Sequence, residues 1–344
     1  MSQNGDMNEA APREAPLVSV IIPAFNAAET IAETLISVRT QTYQKLEIIV
    51  VDDGSRDDTA TIADAHAALD SRIKVLRQLN AGVAAARNAG IATAGGQLIA
   101  PVDADDLWAP TNIARQVAAF TEAGEGATMV FSWHARIDEN GRITAYSRNL
   151  VRPGEESKAM CRRNLVGHGS GALMCKAAVL DAGGYDPSLR SRGAQGAEDY
   201  KLYLELAVRG RCVLIPEVLV GYRVTQGNMS SDVTQMCRSA FLVLDEFSQR
   251  YPRLRHDLAI GRRICAKWYM TRALEGGRFR QMLRVFESFI GEDPPGAALL
   301  IVETPFRLVR RTLRKTWWRA KGLAVPNTRA GAKRPNFIVG SIEA

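Results

Sequence analysis

The sequence predicts an α/β protein, a doubly wound, mostly parallel sheet flanked by helices that runs on into a helical, basic C-terminal region. Three observations lead there. Short β-rich runs alternate with helical segments from Val18 to Val102, the pattern of parallel βαβ units. Acids stand directly after two of those runs, as Asp52-Asp53 and as Asp103-Ala-Asp-Asp106, and the carboxyl ends of strands are where such sheets bind ligands. Charge is also segregated. The net charge is +7, yet about 20 Lys/Arg face 9 Asp/Glu from Phe241 onward, which leaves the front of the chain slightly acidic.

Taken in order, Val18–Pro23 is the first strand. Asn26 then caps a helix, with Glu29 in the capping-box position and Ile31, Leu35 and Val38 as its buried stripe. Leu46–Val51 is the second strand, stopped by Asp52-Asp-Gly-Ser55, and Asp57 or Asp58 caps the next helix. Ile73–Leu76 is the third strand. Asn80-Ala-Gly82 turns into an Ala-rich helix, Val83–Ala94, ended by Gly95-Gly96, and Leu98–Val102 is the fourth strand. After a helix over Asn112–Ala123 the pattern changes. Met129–Trp133 and Ile143–Tyr146 flank a hairpin turn at Glu139-Asn-Gly141. One helix runs from near Lys176 to Gly183-Gly184, and another opens at Gly196–Tyr200. Val213–Ile215 and Val218–Tyr222 read as strands that extend the same sheet in mixed order. From Val233 onward the reading is helical. The expected organisation is a disordered tail over 1–15, the α/β domain over 16–232, a helical region over 233–322 and a poorly ordered tail over 323–344.

Five scattered cysteines without a C-x-x-C pair argue for reduced thiols and against a zinc site or disulfide framework. The first fifteen residues lack the apolar core of a signal peptide, and no apolar run approaches the roughly 18 residues of a membrane span. The front of the chain lacks the basic, aromatic-interleaved surface of a nucleic-acid module. The expected location is cytoplasmic. From Phe306 to Gly322 there are seven Lys/Arg and no acid, with Val309, Leu313 and Trp317 spaced by four. On a helix this is an apolar stripe flanked by arginine, which suits either peripheral contact with an anionic membrane or packing on the chain's own domain.

The chemistry-bearing stretch is Asp103-Ala-Asp-Asp106. Three carboxylates at the mouth of a buried strand repel one another unless a cation joins them, and Mg²⁺ or Mn²⁺ takes such oxygen ligands together with substrate phosphates. In an extended segment Asp103 and Asp105 point the same way, so one can hold a ribose and the other a metal on its diphosphate. A helix cap would need only one acid. Phe25, at the end of the first strand, is either a base-stacking ring or an ordinary core Phe. Asp53 either accepts from a base N–H or serves its turn. Arg87, the lone charge of its helix, either reaches a nucleotide or lies on the surface.

In order along the chain, Val20-Ile-Ile-Pro-Ala-Phe-Asn26, Val50-Val-Asp-Asp-Gly-Ser55, Asn80-Ala-Gly82 with Ala86-Arg-Asn-Ala-Gly90, and Val102-Asp-Ala-Asp-Asp106 resemble the family 2 inverting glycosyltransferases of the GT-A fold. The resemblance covers about Pro16 to Ser230. It implies donor-nucleotide positions at Phe25, Asp53, Arg87 and Asp103, with Pro23, Asn26 and Glu29 beside them. It also implies a metal ligand at Asp105, for Mn²⁺ or Mg²⁺, in a D-x-D motif. Glu198-Asp199 matches the acceptor-half E-D signature, in which the Asp is the general base, and Trp108 and His168 are grouped with it on the acceptor side. Thr225 stands where many relatives carry a His that joins the metal. Either Asp105, the diphosphate and waters then hold the metal, or His168 lies close. The implied activity is inverting transfer of a sugar from a nucleotide diphosphate-sugar, UDP foremost, to a glycan or lipid-linked acceptor in cell-envelope polysaccharide synthesis, with no nucleic-acid partner. Two rivals are an NAD(P)-dependent oxidoreductase, which the missing G-x-G-x-x-G opposes, and a catalytically inactive nucleotide-sugar-binding protein, which the intact Asp103, Asp105 and Asp199 oppose.

Overall fold

The computed structural model describes residues 15–225, 232–290 and 335–339. One nine-stranded sheet organises them. Four strands are parallel neighbours in the order β3 (Ile73–Arg77), β2 (Leu46–Asp52), β1 (Val18–Ala24), β4 (Leu98–Pro101). β1, β2 and β4 are largely buried apolar runs because helices cover both faces, whereas the edge strand β3 buries only Ile73 fully. The sheet then continues through β8 (Ala172–Cys175), β6 (Ala127–Ile137), β9 (Arg211–Arg223) and β5 (Leu107–Trp108), with β7 (Ile143–Ser147) hairpinned onto β6. In this half β8 runs antiparallel to β4 and β6, while β6 and β9 are parallel. The carboxyl ends of β1, β2, β4, β6 and β9 therefore open on one edge. The two runs read as Val213–Ile215 and Val218–Tyr222 form the single strand β9, which steps past Pro216 through a register shift against β6.

The front helices are α1 (Ile31–Arg39), α2 (Thr59–Leu69), α3 (Val83–Thr93) and α4 (Asn112–Ala123). The predicted stripe Ile31, Leu35, Val38 is fully buried under β1 and β2. The capping box is not formed. Helix α1 begins one turn later than predicted, and Asn26 instead takes a left-handed φ of 48°, with its Oδ1 accepting from the Arg56 amide and its own amide donating to Ser55 Oγ. A short polar side chain tolerates that conformation and ties the ends of β1 and β2 together. Asp57, not Asp58, meets the start of α2, accepting from the Thr59 amide.

The helices of the mixed half are α5 (Glu156–Arg162), α6 (Lys176–Asp181), α7 (Ser188–Ser191) and α8 (Glu198–Arg209). Beyond them α9 (Val233–Arg250), α10 (Arg255–Glu275) and α11 (Phe279–Ile290) form a packed trio. Val243, Leu244, Phe247 and Leu258 of this trio share one buried cluster with Ile21, Ile99 and Phe131 of the sheet. Residues 335–339, placed by sequence in a poorly ordered tail, form a strap instead. Asn336 bridges Arg142, the Phe337 amide donates to Gly141 O, and the Phe337 ring is buried beside Leu107, Ala135 and Ile137. The basic stretch 306–322 and the remaining tail segments lie outside the described residues. Among the described residues no helix is long and apolar enough to cross a membrane, and all five cysteines are free thiols.

Candidate active site

The acid stretch is a tight turn and not an extended segment. The Asp106 amide donates to Asp103 O at 3.0 Å, so the three carboxylates diverge. Each then has its own role. Asp103 takes the Arg87 guanidinium at 2.5 Å, and its amide donates to Ser170 Oγ. Asp106 is fully buried, accepting from Ser170 Oγ at 2.5 Å and from the Arg223 amide at 2.8 Å, so it is the keel of the turn. Asp105 is partly exposed, and no other described residue donates a hydrogen bond to its carboxylate. Burial and the neighbouring Asp103 charge push it up to about 6. An under-compensated, accessible carboxylate of this kind fits a hard dication such as Mn²⁺ or Mg²⁺. Among the described residues no group of three acidic, His or Cys side chains could close a metal site.

Arg87 joins the two halves of the site. It is 3% exposed, pairs with Asp103, and reaches Glu198 Oε1 at 3.3 Å at the N-terminus of α8. The ring of Tyr185 lies 5.0 Å from its guanidinium carbon. Gly169 is obligatory beside this pair, because a Cβ there would overlap Arg87 Nη2 and lie 2.8 Å from Asp103 Oδ2. Glu198 Oε2 also accepts from the Gly196 amide, so both of its carboxylate oxygens are engaged within the protein. Asp199, the next residue, is partly exposed. Burial and the Glu198 charge raise its carboxyl to about 7, against the lowering effect of Arg87.

At the carboxyl end of β1, Phe25 is 49% exposed, which removes the core alternative. Glu29 is exposed as well, whereas Pro23 is buried within β1 opposite Val51. Asp53 is 3% exposed, and its carboxylate accepts from Gln78 Nε2, the Ala81 amide and the Gly82 amide at 2.7–2.9 Å. Its visible work is to hold the 80–82 turn, where Gly82 has a φ of 92° that favours glycine.

Two acceptor-side expectations are corrected. Trp108 is 1% exposed; its backbone pairs with β9 and its Nε1 donates to Ser170 O, so it is core beneath the 167–171 loop and out of a ligand's reach. His168 is 3% exposed and stacked on Tyr222 at 5.2 Å, with its Nδ1 accepting from the Ser170 amide and standing 4.0 Å from Asp106. Burial and the adjacent His134 hold it well below the usual imidazole range. Its ring is buried between His134 and Tyr222 and faces Asp106, and so is not the exposed loop histidine that the sequence suggests. Thr225 follows the end of β9, and residues 226–231 beyond it are outside the described set. Sequence reasoning missed Ser170, Arg223 and Tyr185. Arg223 is 1% exposed, and its Nε donates to Asp105 O at 2.7 Å. The available signal was the pairing of a lone buried-strand Arg with an acid-rich turn.

The model for glycosyl transferase family 2 matches residues 19–182. The chain is 33% identical over 227 residues to an uncharacterized glycosyltransferase of Haemophilus influenzae, covering 63% of this chain and 68% of that one. It is 46% identical over 92 residues to the glycosyltransferase GlyG of Streptococcus pneumoniae, covering 26% of this chain and 31% of that one. Among solved structures, S. aureus TarS 1-349 in complex with UDP-GlcNAc superposes with a TM-score of 0.61 at 16% identity, covering 95% of this chain and all of that one. The mannosyltransferase PcManGT of Pyrobaculum calidifontis, in complex with GDP-Man and Mn2+, gives 0.59 at 20% identity, covering 90% and 85%. The structural likenesses carry the GT-A fold. Together with a relative matched over two thirds of its length, they place this chain in glycosyltransferase family 2, as a glycosyltransferase.

Proposed function

We propose that the chain transfers a sugar from a nucleotide diphosphate-sugar, UDP-linked foremost, to a hydroxyl of a glycan or lipid-linked acceptor, with inversion and with Asp199 as general base. The observation that carries this reading is the Asp103–Arg87–Glu198 chain of contacts, which sets Asp199 beside the donor acids. A carboxyl raised to about 7 can both exist as the base near neutral pH and hold the proton it takes. Direct displacement at the anomeric carbon needs that one base and no second catalytic carboxylate. Asp103, fixed by Arg87, is positioned to accept from the ribose, and exposed Phe25 to stack on the base. A divalent cation held by Asp105 supplies, when bound, neutralisation of the charge on the diphosphate leaving group. The nucleotide-sugars held by TarS and PcManGT support a donor of this class, and the Mn²⁺ of PcManGT supports the cation. Peripheral contact of 306–322 with anionic membrane on the cytoplasmic face belongs to the same reading, as does a role in cell-envelope polysaccharide synthesis.

The test is a thermal-shift and calorimetric screen of nucleotide-sugars with and without Mn²⁺, followed by NMR of the transferred product. Metal-dependent stabilisation by one UDP-sugar and an inverted anomeric centre are expected. A retained centre removes Asp199 from the role. Unchanged Mn²⁺ dependence in Asp105→Asn removes Asp105 from the metal.

A further inference from the structure

The turn that carries Asp105 is closed by its own Asp106–Asp103 bond and is also held from a distant part of the chain. Arg223 grips it from the far end of β9. Its amide donates to Asp106 Oδ1 at 2.8 Å, its Nε to Asp105 O at 2.7 Å, and its Nη2 to Glu33 Oε2 at 2.5 Å. The remaining arm, Nη1, donates to Glu139 O at 2.6 Å and reaches Asp138 O at 3.4 Å. These two carbonyls belong to the β6–β7 hairpin turn, and that turn is closed from outside by the strap. Phe337 N donates to Gly141 O at 2.9 Å, and Ile143 N donates to Pro335 O at 2.9 Å.

The Phe337 ring completes the arrangement. It is 8% exposed and packs with Leu107, two residues after Asp105, and with Ala135 and Ile137 of β6. It also lies so close over Gly221, two residues before Arg223, that a Cβ there would stand 2.9 Å from the ring. One side chain thus bears on the strand leaving the acid turn and on the strand delivering the arginine. The hairpin turn between them is pinned by the same strap.

We infer that Phe337 is a positioning residue for the Asp105 turn, acting through Leu107 and through the hairpin carbonyls that orient Arg223. The strap is then part of the donor–metal site although it touches neither. This inference rests on the reading of Asp105 as the cation ligand. Groups that hydrogen-bond the turn of a metal ligand, as Arg223 does, commonly change metal affinity about 10- to 100-fold when replaced, and Phe337 acts from behind Arg223, so the low end of that range is expected.

The experiment is calorimetric titration of UDP into the full-length protein, with Mn²⁺ and with EDTA. Four proteins are compared, wild type, Asp105→Asn, Phe337→Ala and Phe337→Leu, each with its melting temperature. Phe337→Ala is expected to weaken Mn²⁺-dependent UDP binding about tenfold and leave metal-free binding within about twofold. Phe337→Leu, which refills most of the pocket, is expected to recover it. If Asp105→Asn loses the Mn²⁺ dependence and Phe337→Ala keeps it, the positioning role is overturned and the metal reading stands. If Asp105→Asn keeps the dependence, the metal reading itself fails. If Phe337→Ala loses metal-dependent and metal-free binding equally, the residue is a general fold element and the inference is overturned. Should Phe337→Ala not fold, Gly221→Ala in the full chain displaces the ring from the other side and is read against the same criteria.

Discussion

At the residue scale the site turns on two carboxyls kept above their ordinary range, Asp105 at about 6 and Asp199 at about 7. For catalysis, Asp199→Asn keeps the shape and loses the proton acceptor, so transfer should fall about 10²–10⁴-fold with donor affinity nearly unchanged. Wild-type kcat/KM should rise with pH to a plateau above about 7, and that acid limb should vanish in the Asn variant. For stability the sign follows from proton binding. Between the unfolded value near 3.8 and the raised folded value, the native state holds the proton that the unfolded chain releases, so stability drops as pH rises through that window. The slope is at most about 1.4 kcal/mol per pH unit for each group. Asp199→Asn and Asp105→Asn should therefore melt above wild type at pH 8, by about 2–4 °C for each kcal/mol recovered, and level with it near pH 4. Calorimetric scans across pH 4–8 read this directly, and an Asn variant that melts lower at pH 8 contradicts the assignment.

At the element scale, the front of the chain was legible because each strand and helix is specified within its own few residues. The stripe Ile31, Leu35, Val38, the turn at Asp52–Ser55 and the helix over 112–123 all depend on local period and turn chemistry. Trp108 and His168 were misplaced for the opposite reason. Their burial is set by Ser170, Tyr222 and β9, which lie far off in sequence and leave no periodic trace nearby. Arg223 and Phe337 are the same case at greater separation. The α3–sheet contact supplies a test at this scale. Gly90 lets α3 lie against β1, and a Cβ there would stand 2.6 Å from Ile21 Cγ2 and 3.3 Å from Val51 Cγ2. Gly90→Ala should destabilise by about 1–3 kcal/mol through overpacking, more than the roughly 1 kcal/mol that alanine gains in helix propensity. Chemical denaturation measures the balance, and a stabilised variant would show that α3 can slide. Gly169→Ala tests the 167–171 loop in the same way. It should part Arg87 from Asp103, lower UDP affinity at least about tenfold and also lower the melting temperature, because a buried guanidinium then loses one of its two acids.

At the scale of the whole molecule, the basic C-terminal region cannot be probed by simple truncation. A cut before Phe306 would also remove Phe337, whose ring belongs to the core beside Leu107. Neutralising Arg307, Arg310, Arg311 and Arg314 to Gln separates the two questions. If 306–322 meets an anionic surface, the quadruple variant should leave phosphatidylglycerol vesicles in a flotation assay while UDP binding stays within about twofold, since juxtamembrane cations contribute about 1 kcal/mol each. Equal flotation by both proteins would leave packing on the chain's own domain as the role of this segment.

The contact between Arg87 and Glu198 also governs how this molecule can be recombined. The parallel strands β1–β4 lead into the Asp103–Asp106 turn and the mixed strands β5–β9 follow it, so a chimera joined just after Asp106 keeps Arg87 and Asp103 from one parent and takes the second half of the sheet from another. The graft would import a new α8, and a guest lacking an acid at the position of Glu198 would leave a 3%-exposed guanidinium half-neutralised inside the hybrid. Compatibility at that single pair, more than overall identity, should sort folding hybrids from failed ones in a library built on this crossover.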